Sequence, residues 1–386
     1  MQEAELSLDN WYTLLSQCNN AELISTHTHD IANLLYALVK DGGKPFALDL
    51  LEQANAIGTA LWQIILPSPE DDNIDDWLSR AINRSAGVIV EFWINGLSVL
   101  MHGKHGAERT MPDDYRQWFT MVVQDPTSKG GLGRSLLASQ TAFLFGLDET
   151  WTSNNIIPLF SEDDRHKFAQ AWDGFLVWGR LYPSLVDAMM PAFFIALQRL
   201  NANLPDHRRR FIEFYTSVAV FHVSDPLQQI LPALFQYGSI EDRLNFTSQL
   251  GYFLRQMQQT DKQQMWSTWL NRYWIDRLQG VLAPLDDAEI RNMLDWLPNL
   301  GELFPEASIL ASRANKIAIE HSHLLFQLRD SELVTCFPAE MAELLIYLCN
   351  CNVGYHADNI RTVAARLPEL DPHLKHRLDE ALALIG

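Results

Sequence analysis

Cysteine is scarce in this chain, and its scarcity excludes the disulfide framework of a small secreted protein. Only four cysteines occur among 386 residues, and three of them fall in the last 51. The N-terminus carries acidic residues where a secretion signal needs a basic segment followed by an unbroken apolar stretch. We therefore expect a reducing, cytoplasmic location. The cysteines are Cys18, Cys336, Cys349 and Cys351.

Positive charge and long apolar runs are also in short supply. The chain has 29 Lys and Arg residues against 48 Asp and Glu, a formal net charge of −19. This balance makes broad binding to nucleic acid phosphates or anionic lipid an unexpected function. The most apolar run, residues 86–101, is interrupted by Glu91 and Asn95 and is too short to cross a bilayer. We predict a buried helix there and no membrane partner.

The residues that are abundant predict a folded, all-α protein. Apolar residues make up 47% of the chain, and their spacing follows the helical period with almost no alternating stretch typical of a strand. Helix pairs return about every 35–45 residues, which favours an irregular α-solenoid of antiparallel pairs like HEAT or tetratricopeptide repeats. Proline and glycines in residues 124–133 suggest a boundary. We expect an acidic N-terminal helical region, 1–125, and a helical-repeat region, 126–386.

An acidic cluster imitates the DDxxD pattern with which all-α prenyl-chain enzymes hold magnesium and a diphosphate. Carboxylates four residues apart share one helix face and could bind such an ion. A second acidic motif on a facing helix is required, and later acidic pairs stand at helix starts, where they complement the dipole. The pattern therefore favours a solvated helix start over a metal site. The cluster consists of Asp71, Asp72, Asp75 and Asp76.

The segment KGGLGRS, residues 129–135, has the glycine density of a phosphate cradle. It lacks the spacing of a P-loop, and no strand precedes it. A flexible loop between helices is the interpretation that this pattern favours.

Histidines in near pairs and the C-terminal cysteines raise the question of zinc. Cys349 and Cys351 are two residues apart at the end of an apolar helix, so their side chains would point in different directions, and no C-x₂-C knuckle is present. Buried structural thiols and surface or capping histidines are the interpretation favoured over a Cys₃His site. The candidate ligands were Cys336, Cys349, Cys351 and His356; the histidine pairs are 27/29, 102/105, 321/323 and 373/376.

Two features suit protein binding. Arg208, Arg209 and Arg210 stand at a predicted helix start, where positive charge opposes the dipole. They are expected to meet an acidic surface, an acidic neighbouring helix or a phosphate. The chain also has 12 tryptophans, and Trp266 and Trp269 are candidates for exposed anchors on a helical array, with core packing as the alternative.

Between Arg134 and Ala307 the chain contains the strings SLLASQTAFLFGLDETWT, NNIIPLF, AQAWDGFLVWGRL, RRRFIEFY, WLNRYWIDRLQGV and MLDWLPNLGELFPEA. These strings resemble the helical region at the C-terminal end of bacterial sirtuin-like proteins. The resemblance implies an association with anti-phage defence, in which a sirtuin-like module consumes NAD and the helical region supplies regulation, oligomerisation or recognition. This chain lacks the Rossmann-type G-x-G-x-x-G motif and βαβ alternation of an NAD site, so any NADase activity would reside outside it.

No nucleophile elbow and no protease-like cysteine context appears, so the sequence predicts no catalytic, cofactor-binding or metal-binding residue. We expect a non-enzymatic helical sensor or scaffold that binds a protein partner, either a phage protein or a sirtuin-like effector module. Two alternatives stay open, a helical metal- or nucleotide-binding enzyme domain and a purely oligomerising module. Self-association is compatible with all of them.

Overall fold

The computed structural model describes residues 7–18, 20–68, 70, 76–319 and 323–385. Within these ranges the secondary structure is helical, and the sole β-type pairing is an isolated bridge between Ala318 and Asn352. The predicted all-α class is confirmed. The chain divides into two compact units, residues 1–207 (unit 1) and 208–386 (unit 2). The boundary expected between residues 125 and 126 falls inside unit 1.

The α-helices of unit 1 range from one to six turns. They are α1 (Leu8–Gln17), α2 (Ala21–Thr26), α3 (Thr28–Val39), α4 (Ala47–Ile64), α5 (Trp77–Ala81), α6 (Ser85–Met101), α7 (Asp113–Gln124), α8 (Ser128–Ser139), α9 (Thr141–Leu147), α10 (Glu149–Asn155), α11 (Arg165–Trp178) and α12 (Pro183–Asn203).

The α-helices of unit 2 are shorter on the whole. They are α13 (Arg208–Phe221), α14 (Pro226–Gln229), α15 (Leu231–Tyr237), α16 (Ile240–Gln256), α17 (Gln259–Met265), α18 (Asn271–Leu278), α19 (Asp287–Leu294), α20 (Phe304–Ala311), α21 (Leu324–Arg329), α22 (Leu333–Cys336), α23 (Pro338–Cys349), α24 (Ala357–Ala365) and α25 (Pro372–Leu384). One π-helical turn, Trp266–Leu270, joins α17 to α18.

Helix α8 forms the centre of unit 1, which corrects the expected loop over residues 129–135. It packs against α5, α6, α7 and α11, and all of its residues except Lys129 are buried. Each glycine in a helix costs up to about 1 kcal/mol relative to alanine, which is why the segment looked like a loop. Tertiary packing overrides that preference here.

The glycines of this core are required by close approach. A Cβ at Gly133 of α8 would overlap the side chain of Val122, and one at Gly174 of α11 would overlap the backbone carbonyl of Ser135. Since side chains at these positions would force the helices apart, the glycines set the short distance between α8 and its neighbours. The segment is a packing core, and its first turn is not an open phosphate cradle.

Unit 2 is built by sequential packing of helices close in the chain. Helix α16 lies against α13 and α19, and α23 lies against α20, α24 and α25. Such local pairing is compatible with the stacked pairs expected from the sequence, but the solenoid arrangement itself stays a prediction.

Acidic side chains cap several helix starts. Asp286 and Glu289 form a capping box at α19, and Asp225 and Asp371 cap helices that begin at a proline. Asp164 caps α11 by accepting from the backbone N–H groups of His166 and Lys167. These carboxylates satisfy N–H groups that have no partner within the helix.

The apolar run at residues 86–101 is confirmed as a largely buried helix, α6. Its Glu91 lies half-buried, and burial raises the pKa of that carboxyl. No helix in the described ranges is both long and apolar enough to cross a membrane.

Candidate functional site

The three predicted arginines do not share one surface. Arg208 is largely buried, with Nε 2.6 Å and Nη2 2.7 Å from the two carboxylate oxygens of Asp242, and it also donates to Ser239 Oγ. Arg209 and Arg210 are more exposed and both pair with Glu213. The acidic partner of Arg208 is therefore Asp242 of α16, a neighbouring helix of its own unit, as one of the expectations had it.

Trp266 and Trp269 are not exposed, which corrects the expectation of accessible anchors. Each ring is 4% exposed. The indole N–H of Trp266 donates to Glu306 Oε2 at 2.8 Å, and Trp269 packs edge-on against Tyr273. The π-helical turn places both rings on the interior side of unit 2, so they stabilise its core.

The metal-like patterns do not converge within the described residues. Asp71, Asp72 and Asp75 lie outside these residues, and Asp76 caps α5 by accepting from Ser79 N at 3.0 Å. No group of three or more potential metal ligands occurs in the part of the chain that the structure describes.

The C-terminal thiols differ in exposure. Cys349 and Cys351 are buried, as predicted for structural thiols, whereas Cys336 is exposed. Burial raises the pKa of Cys349 to about 11, which disfavours the thiolate form that binds metals. His356 is buried beside Tyr355, and the described members of the four histidine pairs are exposed, as the surface interpretation predicted.

A pocket of about 600 Å³ opens in unit 1 between α4, the end of α6 and the start of α7. Its size is typical of sites that bind small molecules or side chains of a partner. We call it the acid-rimmed pocket. It is lined by Leu48, Leu51, Glu52, Asn55, Ala56, Leu100, Pro112, Asp114, Tyr115 and Trp118.

The floor of the acid-rimmed pocket holds an unsatisfied amide. Asn55 is 8% exposed, and its Nδ2 donates to the Tyr115 hydroxyl at 3.4 Å. Its Oδ1 is buried and has no hydrogen-bond partner among the described residues. Exchanging the amide oxygen and nitrogen would only leave the NH₂ group unpaired instead. A buried polar group without a partner costs about 1–3 kcal/mol, so this oxygen lowers the stability of the fold.

Tyr115 and Trp118 give the pocket a rigid aromatic wall. Trp118 stacks on the buried Trp93 with ring centroids 5.6 Å apart and planes at 12°, and Tyr115 meets Trp118 edge-on at 4.9 Å. Burial raises the pKa of Tyr115 to about 12, so its hydroxyl stays protonated at neutral pH. Because the two rings lie three residues apart on α7, the helix holds them on one face.

Two carboxylates, Glu52 and Asp114, stand at the rim and are exposed. Neither forms an ion pair within the described part of the chain, whereas the adjacent Asp113 is paired with Arg116. Among the described residues that line the pocket, none is basic. Asp114 also lies in the first turn of α7, where a negative charge stabilises the helix start. The rim is thus negative, and the wall beneath it is apolar.

A second pocket of unit 1, about 330 Å³, lies at the start of α6 and contains Arg84 and Lys129. Arg84 pairs with Glu70 at 2.9 Å, and Lys129 lies 3.5 Å from a carboxylate oxygen of Asp125. Lys129 also donates to the carbonyl of Trp62. Since both cations already have carboxylate partners, this pocket has a weaker claim to a charged ligand.

A buried histidine–aspartate contact lies in unit 1, outside both pockets. Asp173 is 1% exposed; it accepts from Leu78 N at 2.6 Å, and its Oδ1 lies 2.8 Å from His207 Nε2. The hydrogen bond to Asp173 raises the pKa of His207. Asp173 thus binds a free backbone N–H group in the first turn of α5 with one oxygen and His207 with the other, and we interpret the pair as a structural feature.

The comparisons with known proteins reach only unit 2. Residues 218–380 match a domain of unknown function, DUF4020, which covers less than half of the chain. No curated protein and no solved structure is significantly similar to the chain. The matched region overlaps the resemblance noted above only over residues 218–307, and the acid-rimmed pocket lies outside both.

The acid-rimmed pocket was missed by the sequence analysis. The available signal was Asn55 itself, which lies on the buried stripe of α4 four residues after Leu51 and near Gly58 and Trp62. A polar residue at such a position needs a partner. Which helix would supply or withhold that partner could not be read from the sequence.

Proposed function

We propose that the chain is a non-enzymatic helical binding module that holds a basic segment of a protein partner in the acid-rimmed pocket. The observation that carries the proposal is the combination, in one cavity, of an apolar wall and two rim carboxylates that form no ion pair within the described residues. A basic amphipathic segment would supply the counterpart of both.

The charge of the whole unit supports the same partner chemistry. Unit 1 has 26 acidic residues against 13 basic ones, whereas unit 2 has 22 against 16. A negative unit attracts a positive segment over roughly a Debye length, about 8 Å at physiological salt, and so raises the association rate. Binding should accordingly weaken as salt increases.

The biological setting rests on the resemblance alone. We propose a sensor or scaffold role in bacterial anti-phage defence, with a phage protein or a sirtuin-like effector as the partner. Residues 134–307 support this setting through their likeness to the helical region of sirtuin-like proteins, and any NAD-consuming activity would reside outside these residues.

The test is capture followed by direct binding. The chain is used as bait in lysates of infected and uninfected bacteria, and each captured protein is purified and titrated calorimetrically. The double variant Glu52→Gln/Asp114→Asn should weaken binding at least about tenfold, while Asp187→Asn, an exposed carboxylate on α12, should not.

Equal binding by both variants would overturn the proposed site. If the chain captures only itself, and the pocket variant still self-associates, the oligomerising alternative is favoured over the sensor or scaffold.

A further inference from the structure

The second pocket of unit 1 differs from the acid-rimmed pocket in the sign of its charge, and we call it the basic pocket. It has a volume of about 330 Å³, and among the described residues that line it Arg84 and Lys129 are basic and none is acidic. Ser25, Thr28 and Ser85 add hydroxyl groups to the same lining. Cations and hydroxyl donors around one cavity are the groups that bind an oxyanion.

The ammonium group of Lys129 is largely buried and keeps a donor unused. Its side chain is 11% exposed, and Nζ carries three N–H donors. Nζ donates to the carbonyl of Trp62 at 3.0 Å, while Oδ2 of Asp125 lies 3.5 Å away, longer than a usual hydrogen bond. The Trp62 ring, with its centroid 4.7 Å from Nζ, holds the ammonium group in position. Among the described residues these contacts engage two of the three donors, so one N–H is available to an acceptor in the cavity.

Helix α6 begins at the basic pocket and brings a second set of donors. Its N-cap residue, Arg84, provides no side-chain acceptor, and the backbone N–H groups of Ser85 and Ala86 donate to no atom in the described part of the chain. Helix α3 also begins at this pocket, at Thr28, without a side-chain cap. Since these donors and Lys129 belong to different helices, the two observations are independent, and both call for an anion.

The number of donors favours a phosphate group over a carboxylate or a sulfate. A phosphate monoester carries about −1.5 to −2 charges at pH 7 and presents three acceptor oxygens. These oxygens match three sources of donors, which are Lys129, Arg84 and the start of α6. Arg84 can turn to the ligand at little cost, because its partner Glu70 has a side chain that is 73% exposed and such ion pairs are weak. A singly charged carboxylate or sulfate ester would balance only one of the two cations.

The apolar part of the lining indicates what the phosphate is attached to. Ile64, Ile65 and Leu66 line the pocket, and Leu66 is 84% exposed. A free phosphate ion would leave these side chains in water, whereas an apolar group of the ligand would cover them. We propose that the basic pocket binds a phosphate monoester of a small molecule, with the phosphate at Lys129 and the start of α6. This site is additional to the acid-rimmed pocket and does not depend on the proposed function.

The experiment titrates the full chain in a calorimeter at constant ionic strength and at a slightly alkaline pH, where the phosphate is a dianion. The probes are phenyl phosphate, inorganic phosphate and phenyl sulfate, which has the shape of phenyl phosphate but a single charge. Phenyl phosphate should show saturable binding, at least about tenfold tighter than that of phenyl sulfate. It should also bind about threefold more tightly than inorganic phosphate, because its ring covers the apolar lining.

Two variants of Ser85 isolate the backbone donor at the start of α6. Proline is tolerated at the first helical position, and the extended backbone of Arg84, with φ −114° and ψ 142°, suits a following proline. Ser85→Ala removes the hydroxyl group alone, whereas Ser85→Pro removes the hydroxyl and the backbone N–H. Ser85→Pro should therefore bind phenyl phosphate about threefold more weakly than Ser85→Ala, at a similar melting temperature.

A pair of side-chain variants locates the binding. Lys129→Gln should weaken the binding of phenyl phosphate at least about tenfold. Arg180→Gln, at an exposed position of unit 1 outside the lining of this pocket, should leave it unchanged. Circular dichroism of each variant checks the fold, and if Lys129→Gln does not fold, the two Ser85 variants still test the site.

Three results would overturn the inference. The site itself would be excluded if phenyl phosphate showed no saturable binding at millimolar concentration, or if Ser85→Pro and Lys129→Gln bound it as tightly as the wild type. Equal affinity for phenyl sulfate would overturn the choice of a phosphate. Equal affinity for inorganic phosphate would overturn the choice of an ester.

Discussion

Each of the two units buries an arginine that donates to backbone carbonyl groups, but the carbonyl groups belong to a helix end in unit 1 and to a loop in unit 2. In unit 1, Arg134 is 2% exposed and donates to the carbonyls of Val123 and Asp125, which end α7. In unit 2, Arg277 is buried with Glu289 and donates to the carbonyls of Val281 and Ala283. Arg134 thus binds the carbonyl groups at the end of α7, beside the central helix α8, whereas Arg277 binds carbonyl groups of the loop that follows α18.

The backbone of that loop explains why it needs a charged partner. Leu282 has a φ of 74°, a conformation that is unfavourable for a residue with a side chain, and Gly280 also has a positive φ. The carbonyl groups turned inward by the loop are satisfied by Arg277, and Glu289 balances its charge. The comparison teaches that a buried arginine in this fold serves to satisfy backbone carbonyl groups, which hydrophobic periodicity cannot reveal.

The largest expected effect tests whether the units lose structure separately. Trp172 is fully buried in α11, and its indole N–H donates to the carbonyl of Phe160 at 3.1 Å. Trp172→Ala should lower the free energy of unfolding by about 3–5 kcal/mol through the cavity it leaves. Hydrogen exchange read by mass spectrometry should show lost protection in residues 1–207 and unchanged protection in residues 208–386.

The control for this prediction is Trp178→Ala at the end of the same helix, where the ring is 43% exposed. It should cost much less. Equal loss of protection in both units after Trp172→Ala would show that they unfold as one, contrary to the division into two units.

The second prediction separates two neighbouring arginines of unit 2. Asp242 is 1% exposed and accepts from Arg208, so Arg208→Gln leaves a buried carboxylate without its cation. We expect a loss of about 2–3 kcal/mol in urea denaturation. Arg209 has a side chain that is 82% exposed, so Arg209→Gln should change stability by less than about 0.5 kcal/mol.

A partner-binding role for Arg209 would leave this order of stabilities unchanged and would appear only in a binding titration. In that case Arg209→Gln would weaken the partner titration while leaving stability unchanged, and Arg208→Gln would affect binding only through folding. The pair therefore sharpens the original hypothesis about residues 208–210.

The sequence predicted features that depend on a single helix and failed to predict features that depend on how two helices pack. The all-α class and the buried helix at residues 86–101 followed from periodicity within single segments. Helix α8 did not, because its glycines are explained only by the residues that approach them, such as Val122 against Gly133. Trp266 likewise carries no mark in the sequence that separates a buried ring from an exposed anchor.

The candidate site was less predictable still, for the same reason. The acid-rimmed pocket lies between α4 and α7, and Asn55 and Tyr115, which contact each other there, are 60 residues apart in the chain. Which side chains would line it together depends on how these helices pack. Asp173 and His207 are closer together in the chain, yet their contact too could be found only from the packed structure. The residue types alone indicated that unit 1 is negatively charged. They did not indicate which carboxylates, such as Glu52 and Asp114, form no ion pair within the described residues.

The smallest expected effect concerns pH and belongs to unit 1. The pKa of His207 is raised above its ordinary value of 6.5, chiefly by the hydrogen bond to Asp173, with Asp206 and Asp76 adding to it. A histidine whose pKa is higher in the folded state contributes stability that is complete below the pKa of the unfolded chain. That contribution is lost as the pH rises through the folded-state pKa.

His207→Gln keeps a hydrogen-bond donor near Asp173 but removes the charge. The wild-type protein should therefore exceed the variant in free energy of unfolding by about 1 kcal/mol at pH 6, after allowance for screening of a half-buried ring, and by less at pH 9. Urea denaturation at both values measures the difference, in which other titrating groups cancel. A constant difference across this range, or one that grows with pH, would mean that the imidazole is neutral in the folded protein and that the contact with Asp173 is an uncharged hydrogen bond.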